Sequence, residues 1–298
     1  MSCDEHGTGY EAWELARELP NWADMRNGPP EYAERLDALH QALVDDFTSI
    51  VERLPLTGGE TIIDAGCGDG FFSGLLAERL PKGQVIGIDA STAFLAAAEQ
   101  RLREPIAHRR VRLVEGDVTK LPFEEASVDA VWSGHSMQSY PHIPHVLAEF
   151  RRVLRPGGLL AILETDNIHS IMLSWPPDLE LTVRRAEHRE IGSEDSYIGT
   201  YFPRFAQRLL AAAGYEGLSW EFVFIQKHQP CNGELERYVR LYLEKLLADH
   251  GDQLSEQGRS RMKALATPGA ARYLPAQENF FFGSLQALIT ARVGRRPI

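Results

Sequence analysis

The hydrophobic positions of the chain change their spacing several times, and each change marks a different kind of element. Between residues 61 and 164, five short apolar runs alternate with stretches whose apolar residues recur every three to four positions. The first pattern is typical of buried strands and the second of amphipathic helices. The predicted strands lie near 61–65, 84–89, 111–115, 128–133 and 158–164. Strands that alternate with helices in this way predict an α/β protein with a parallel, doubly wound sheet.

Helical spacing also dominates the chain before this predicted sheet. Apolar residues from Leu36 to Leu54 recur at helical intervals, and the breakers Asn27–Pro30 separate them from earlier helical residues. After the fifth strand, two more strand patterns occur near 218–226 and 283–293. The pattern therefore predicts a central sheet with helices at its N-terminal side and a more irregular C-terminal part.

The most informative segment is Thr61–Gly70, with the sequence TIIDAGCGDG. An apolar run ends in Asp64, and Gly66, Gly68 and Gly70 follow at every second position before a helical pattern begins. Such a turn lets a ligand lie against bare backbone and the free N–H groups of a helix start. The dinucleotide fingerprint needs its third glycine one position later, and the phosphate loop needs a lysine after its last glycine. A carboxylate just before the loop favours a ligand with a cationic amino group over a pyrophosphate.

The later predicted strands also end in polar residues, where ligands bind to open α/β sheets. The second strand ends in Asp89, about 20 residues after the loop, and a carboxylate there can accept hydrogen bonds from both hydroxyls of a ribose. The third strand runs into Asp117, and the fourth opens into a polar loop that begins at Ser133. The order and spacing of these pieces, across about 58–166, resemble the class I S-adenosylmethionine-dependent methyltransferases, close to their ubiquinone-biosynthesis and small-molecule branches.

This resemblance implies a seven-stranded, mostly parallel Rossmann-like sheet whose last two strands form an antiparallel hairpin. It divides the chain into an N-terminal helical lid, residues 1–58, and a methyltransferase domain, 59–298, with cap insertions at about 167–198 and 231–282. It implies S-adenosyl-L-methionine as cofactor and S-adenosyl-L-homocysteine as product, with the acid after the third strand on the adenine amino group. The cofactor-binding residues that we expect are Asp64, Gly66, Cys67, Gly68, Asp89, Ala90, Asp117, Val118 and Ser133.

Methyl transfer from a sulfonium is an in-line displacement that needs positioning, exclusion of water and, for a hydroxyl acceptor, a base. His135, in the loop after the fourth strand, is the candidate base, because imidazole titrates near neutral pH. The alternative is that His135 only packs over the cofactor. Glu164 and Asp166 end the fifth strand and would suit a cationic amine, or one of them holds the cap in place. The acceptor-side candidates are Gln138, Tyr140, Glu164, Asp166, Trp175 and Tyr197, and core packing is the alternative for the aromatic ones.

Composition narrows the class of partner. The chain has 298 residues, with 31 Lys and Arg against 42 Asp and Glu, which gives a formal net charge of −11. An acidic surface repels phosphate backbones, so general nucleic-acid binding is disfavoured. Three scattered cysteines argue against a disulfide framework, and no ligand spacing suggests a metal. With no signal-peptide pattern and no apolar run long enough for a membrane span, we expect a cytoplasmic protein.

The sequence therefore predicts an S-adenosylmethionine-dependent methyltransferase that acts on a small-molecule acceptor through an oxygen, nitrogen or carbon nucleophile. A catalytically silent member that binds the cofactor for regulation or assembly is the alternative, and a NAD-dependent dehydrogenase is disfavoured by the glycine spacing. We also expect residues 1 to about 30 to become ordered over the cofactor, with Tyr10 or Trp13 reaching the site, against the alternative of a permanently docked helix. The oligomeric state stays open, a homodimer included.

Overall fold

A computed structural model of the chain describes residues 32–166, 168–189 and 198–294. Its sheet contains eight strands. They are β1 (Thr61–Ala65), β2 (Gln84–Asp89), β3 (Val111–Glu115), β4 (Val128–Gly134), β5 (Leu154–Thr165), β6 (Met172–Leu173), β7 (Tyr215–His228) and β8 (Phe281–Val293). The five strands expected between 61 and 164 are confirmed, because each apolar run forms one strand of the sheet.

Helices connect and flank these strands. The α-helices are α1 (Ala33–Ala42), α2 (Val44–Glu52), α3 (Phe71–Arg79), α4 (Thr92–Arg101), α5 (Arg103–Ala107), α6 (Ile143–Val153), α7 (Pro177–Arg189), α8 (Phe202–Ala212), α9 (Gly233–His250) and α10 (Glu256–Ala266). Short 3-10 turns cover Met137–Ser139, Gly251–Gln253 and Leu274–Ala276. The charged insertion expected at 231–282 is thus mainly the helix pair α9 and α10.

The strand order is β3-β2-β1-β4-β5-β8-β6, and β7 pairs with β8 along its other edge. Strands β1 to β5 are parallel, whereas β8 runs antiparallel to β5, β6 and β7. The predicted mostly parallel Rossmann-like sheet with a C-terminal antiparallel hairpin is therefore confirmed. The eighth strand, β6, was not predicted. It has only two residues, and it exists because they pair with Phe282 and Gly283 of β8.

Alternate residues of each parallel strand face opposite sides of the sheet, and both sides are buried. Ile62, Trp132 and Leu163 belong to an apolar cluster with α2, α3 and α9, whereas Ile63 and Ile162 belong to one with α6 and α8. Burial on both faces explains why the strands are nearly continuous apolar runs. It also leaves the strand ends as the place where polar side chains gather.

Helices α1 and α2 are docked on the rest of the protein. The buried residues Leu43, Phe47 and Ile50 face the core, and α1 packs along α9. Asp37 of α1 pairs with Arg101 at 2.7 Å, and Lys227 of β7 pairs with Asp46 of α2 at 2.6 Å. A lid role for residues 1–58 stays a prediction, and the part of it that concerns Tyr10 and Trp13 lies outside the described residues.

Within the described part of the chain, no helix combines the length and the apolar character needed to cross a bilayer.

Candidate active site

A cavity of about 970 Å³ opens at the carboxyl ends of the parallel strands. One end of it is formed by the glycine loop after β1 and by the ends of β2 and β3. The other end is formed by the loop after β4, the end of β5, strand β8 and helix α9. Helix α1 lies along both ends, because His40 packs against Phe71 as well as His135. This is the edge at which ligands bind in doubly wound sheets. We call the two ends the cofactor end and the acceptor end.

The glycine loop at the cofactor end takes a backbone path that only glycine adopts without strain. Gly66, Gly68 and Gly70 have φ values of +66°, +52° and +82°. A Cβ on Gly66 would lie 2.8 Å from the Tyr140 hydroxyl, whereas a Cβ on Gly68 would meet no atom within 4 Å. The first glycine is therefore required by packing. Gly68 leaves open space beside the loop, where it lines the cavity.

Asp89, at the end of β2, has a carboxylate that two backbone groups hold in place. Oδ2 accepts a hydrogen bond from the Gly68 N–H at 2.9 Å, and Oδ1 accepts one from the Ser91 N–H at 2.8 Å. Each carboxylate oxygen has two lone pairs, so the carboxylate can accept further hydrogen bonds from a ligand. Burial raises the pKa of Asp89, and the backbone hydrogen bonds act against this shift.

Of the nine expected cofactor-binding residues, seven line the cavity. They are Gly66, Cys67, Gly68, Asp89, Ala90, Asp117 and Val118. The structure places Asp64 and Ser133 behind it. Asp64 is buried, accepts a hydrogen bond from Ser73 Oγ at 2.6 Å, and has a pKa that burial raises to about 7. These two residues support the loops and do not face the cavity.

Tyr140 and Ser136 tie the loop after β4 to the glycine loop. The Tyr140 hydroxyl donates to the Ala65 carbonyl at 2.7 Å, and since its proton is used there, it accepts from Ser133 Oγ at 3.1 Å. Ser136 Oγ lies within hydrogen-bond distance of the Gly66 and Gly134 carbonyls. The Tyr140 side chain, expected at the acceptor, thus fixes the distance between two loops while it also lines the cavity.

His135 lies where the two ends of the cavity meet. Its backbone is in the left-handed region, with φ +54°, and its N–H donates to the Leu163 carbonyl at 2.8 Å. Its Nε2 lies 2.8 Å from Oε1 of Gln286, a buried residue of β8. Burial lowers the pKa of His135, and the contact with Gln286 opposes that shift. The imidazole is therefore neutral at pH 7 and available as a base.

The remaining acceptor-side predictions separate in the structure. Gln138 and Glu164 line the cavity. Asp166 Oδ1 accepts a hydrogen bond from Arg204 Nη2 at 2.9 Å. Burial acts to raise the pKa of Asp166, but the hydrogen bond and charge of Arg204 outweigh it, so the pKa is lowered. Trp175 is 4% exposed and belongs to the apolar core. Tyr197 lies outside the described residues.

Glu164 is buried, and Oε1 accepts a hydrogen bond from the Met137 N–H at 2.7 Å. Burial raises the pKa of this carboxyl to about 8, even though backbone hydrogen bonds act to lower it. Near neutral pH Glu164 is thus an uncharged acid, and its O–H can donate a hydrogen bond into the cavity. A role for Glu164 toward a cationic amine stays a prediction.

Replacing Glu164 with glutamine is expected to raise the melting temperature at pH 8. The unfolded carboxyl ionises near pH 4.5, whereas the folded one keeps its proton up to about pH 8. Between these values the unfolded state releases a proton that the folded state retains, so folding stability falls as pH rises. Glutamine removes this cost, so the gain in stability should be absent near pH 4.5 and largest at pH 8.

Thermal melts at both pH values measure this gain, with Glu52→Gln, on the exposed end of α2, as the control. An equal gain at both values would contradict the shift.

Further residues that the sequence did not indicate as site residues line the cavity. They are Arg35, Leu36, Leu39 and His40 of α1, Tyr238, Tyr242 and Lys245 of α9, and Ser284 and Gln286 of β8. The α9 residues recur at helical intervals and so share one face, which is a signal that the sequence does carry. For Ser284 and Gln286 of β8, the sequence shows only two polar positions in the first half of a mainly apolar strand. Nothing in the spacing relates either group to the glycine loop.

Within residues 32–166, 168–189 and 198–294, no group of three or more His, Cys, Asp or Glu residues is placed to hold a metal ion.

Comparisons with known proteins agree with this geometry. The family model described as "Methyltransferase domain" matches residues 63–162. The chain is 34% identical over 167 residues to 2-phytyl-1,4-naphtoquinone methyltransferase of Synechococcus elongatus, an alignment that covers 53% of this chain and 72% of that protein. It is 30% identical over 176 residues to phthiotriol/phenolphthiotriol dimycocerosates methyltransferase of Mycobacterium tuberculosis, which covers 58% and 63%.

A solved structure supports the fold. Phosphoethanolamine N-methyltransferase 2 of Haemonchus contortus, determined with S-adenosylhomocysteine, superposes with a TM-score of 0.56 at 16% identity and covers 93% of this chain and 61% of that one. Together with the Synechococcus alignment, the site shows that the chain belongs to the class I S-adenosylmethionine-dependent methyltransferases. It is an enzyme of methyl transfer to a small-molecule acceptor.

Proposed function

We propose that the cofactor end of the cavity binds S-adenosylmethionine and that the acceptor end binds a largely apolar small molecule with a phenol- or quinol-type hydroxyl group. His135 takes the proton of that hydroxyl. The observation that carries this proposal is the continuity of the cavity, which places the Asp89 carboxylate, the bare loop at Gly68 and the His135 imidazole on one surface.

The cofactor end suits a nucleoside with a cationic tail. Asp89 lines the cavity with lone pairs that ribose hydroxyls can use, and the loop at Gly68 has no side chain to obstruct a ligand. Asp117 and Val118 line the same end, where the family resemblance puts adenine. Asp69, Asp89, Glu115 and Asp117 make this end acidic, which favours a sulfonium and an amino group over a phosphate.

The acceptor end favours a hydroxyl over an amine. A cationic amine needs an ionised carboxylate, but Asp166 is engaged by Arg204 and Glu164 keeps its proton near neutral pH. The neutral imidazole of His135 is instead suited to receive a proton from a hydroxyl. Apolar side chains of α1 and the ring faces of Tyr238 and Tyr242 would contact an extended hydrophobic acceptor. The relatives named for naphthoquinone and phthiotriol substrates support an acceptor of this kind.

The side chains of this protein have to accept one proton and to exclude water from the reacting groups. When bound, S-adenosylmethionine would supply a methyl group on a cationic sulfur, and that sulfur would leave with the electron pair of the broken bond as a neutral thioether. His135 accepts the proton of the acceptor hydroxyl, and an electron pair of the oxygen forms the new bond to the methyl carbon. Where the activated aromatic carbon takes the methyl group instead, that carbon then releases its own hydrogen as a proton and the oxygen is reprotonated. Helices α1 and α9 cover the acceptor end and limit the access of water. The imidazolium then returns its proton to solvent.

Calorimetric titration of the protein with S-adenosylmethionine, and with NAD as the comparison, tests the cofactor. The acceptor is tested by incubating the protein with cofactor labelled in the methyl group and with matched panels of phenols, quinols and amines, while S-adenosylhomocysteine is quantified. We expect binding of the sulfonium cofactor only, and transfer to the hydroxyl-bearing panels. Binding without any transfer would support the catalytically silent alternative, and transfer to amines alone would overturn the proposed acceptor class.

A further inference from the structure

Two polar side chains are buried in the middle of strand β8. Ser284 is 3% exposed and Gln286 is 1% exposed, although the strand is otherwise apolar at its buried positions. They form a chain of hydrogen bonds with His135. Gln286 Oε1 lies 2.8 Å from His135 Nε2, Gln286 Nε2 donates to Ser284 Oγ at 2.9 Å, and Ser284 Oγ donates to the Ser170 carbonyl at 2.7 Å.

This chain leaves one consistent arrangement of protons. The Ser170 carbonyl can only accept, so the single hydroxyl proton of Ser284 points to it. Ser284 Oγ must therefore accept from the amide group of Gln286, which turns the Gln286 NH₂ toward Ser284 and Oε1 toward His135. An amide oxygen also only accepts, so His135 Nε2 must carry a hydrogen. In the neutral imidazole the lone pair then lies on Nδ1.

We propose that Gln286 is a positioning residue that holds His135 in the Nε2–H tautomer, so that Nδ1 is the atom that receives the acceptor proton. The inference about Nδ1 rests on the proposed function, whereas the tautomer itself does not. The proton moves from the acceptor oxygen to the lone pair of Nδ1, which leaves the oxygen with both electrons and the imidazole with a positive charge. Gln286 Oε1 accepts from Nε2–H before and after this step.

The surroundings of His135 leave Nδ1 as the reactive atom. Nδ1 accepts no hydrogen bond from the described part of the chain. It is also not a fully buried atom, so it is accessible from the cavity that His135 lines. The Phe47 and Phe72 rings pack against the imidazole with centroids at 5.5 and 5.7 Å. These ring contacts restrict rotation of the imidazole, so Nε2 stays directed at Gln286 and Nδ1 stays on the other side of the ring.

The two titratable side chains next to His135, those of His40 and Glu164, are uncharged near neutral pH. His40 of α1 stacks at 6.1 Å, and burial, helped by His135 and Arg101, puts its pKa well below the usual range. Glu164 of β5 faces the same cavity and keeps its proton up to about pH 8. The charged groups that line the cavity further away are Arg35, Lys245, Asp69, Asp89, Glu115 and Asp117. A shift in the titration of His135 can thus be assigned to a change at Gln286.

Two substitutions of Gln286 separate positioning from packing through the pH profile of kcat/KM. Gln286→Met keeps the volume but loses the acceptor that favours the imidazolium, so the rising limb should move to lower pH. Gln286→Glu places a carboxylate on Nε2–H, so the limb should move to higher pH. Thr290→Val, further along β8, is the control and should leave the limb in place. Unchanged limbs in both Gln286 variants would overturn the proposal.

The tautomer is measured without cofactor or acceptor by nitrogen-15 NMR of protein with labelled histidine, where two-bond couplings distinguish the two ring nitrogens. The His135 signals are assigned by their loss in His135→Gln. We expect the Nε2–H pattern in the natural protein above pH 7 and a mixture of tautomers in Gln286→Met. An Nδ1–H pattern in the natural protein would overturn the inference. The Nε2–H pattern in a protein that transfers no methyl group would instead overturn the proposed function and leave the tautomer assigned.

Discussion

Replacing Asp89 with alanine is expected to weaken S-adenosylmethionine binding by about 10- to 150-fold, the equivalent of about 1.5–3 kcal/mol for a charge-assisted hydrogen bond. The carboxylate is held in position by the Gly68 and Ser91 N–H groups before any ligand arrives. A ribose would therefore meet two acceptors that need no reordering. Alanine removes both acceptors and also leaves the backbone N–H groups of Gly68, in the glycine loop, and Ser91, at the start of α4, without their partner.

The measurement is a calorimetric titration at a temperature where the variant is fully folded, since the lost loop contacts will also lower its melting temperature. Asp37→Ala is the control, because this carboxylate of α1 makes ion pairs with Arg101 and Arg237 and does not line the cavity. We expect the control to bind the cofactor as the natural protein does. Equal affinity in Asp89→Ala would mean that the ribose does not lie on this carboxylate, and the proposed cofactor end would be wrong.

Replacing His135 with glutamine is expected to lower kcat by about 10²- to 10⁴-fold, the contribution of a positioned general base. Glutamine keeps a polar group near Gln286 but cannot accept a proton near neutral pH. Cofactor affinity should stay within about threefold, because the proposed ribose and adenine contacts lie at the other end of the cavity. Single-turnover rates with a saturating phenol or quinol acceptor, together with calorimetry, separate the two quantities.

The pH dependence provides a second readout. A base acts when it is deprotonated, so kcat/KM should rise as pH rises through the pKa of His135 and level off above it. Because burial lowers this pKa, the limb should lie below pH 6.5, the ordinary value. The limb should vanish in His135→Gln and persist in His145→Gln, an exposed histidine of α6. A variant at position 135 that keeps most of its rate and the limb would show that the imidazole only packs over the cofactor.

Sequence patterns were most informative where local chemistry alone decides the structure. The β-branched apolar runs became strands because they are buried on both faces of a parallel sheet, and the glycines became a ligand loop because left-handed backbone has few other occupants. The carboxylate at Asp89 followed from the spacing of strand and loop. The glycine loop and Asp89 depend on neighbours within about 30 residues along the chain, the length of one βαβ unit. The burial of the strands involves distant helices, but the apolar run of each strand already indicates it.

The acceptor end could not be predicted in the same way, because it joins distant segments. His40 of α1, Tyr238 of α9 and Gln286 of β8 come together only when β8 pairs with β5 and α1 packs on α9. The roles of the two carboxylates after β5 also depended on contacts across the fold. Asp166 is engaged by Arg204 of α8, and Glu164 is neutral because it is buried.

By itself, then, the sequence determined the class of fold, the glycine loop and the carboxylate that faces it, since periodicity and glycine geometry act locally. Only the tertiary structure decided which polar groups are charged, which face the cavity and which nitrogen of His135 is free. Burial sets the first of these, and the packing of β8 and α9 sets the second. The third depends on a chain of hydrogen bonds from Ser170 to His135 that exists only when β5, β8 and the loop after β4 lie side by side.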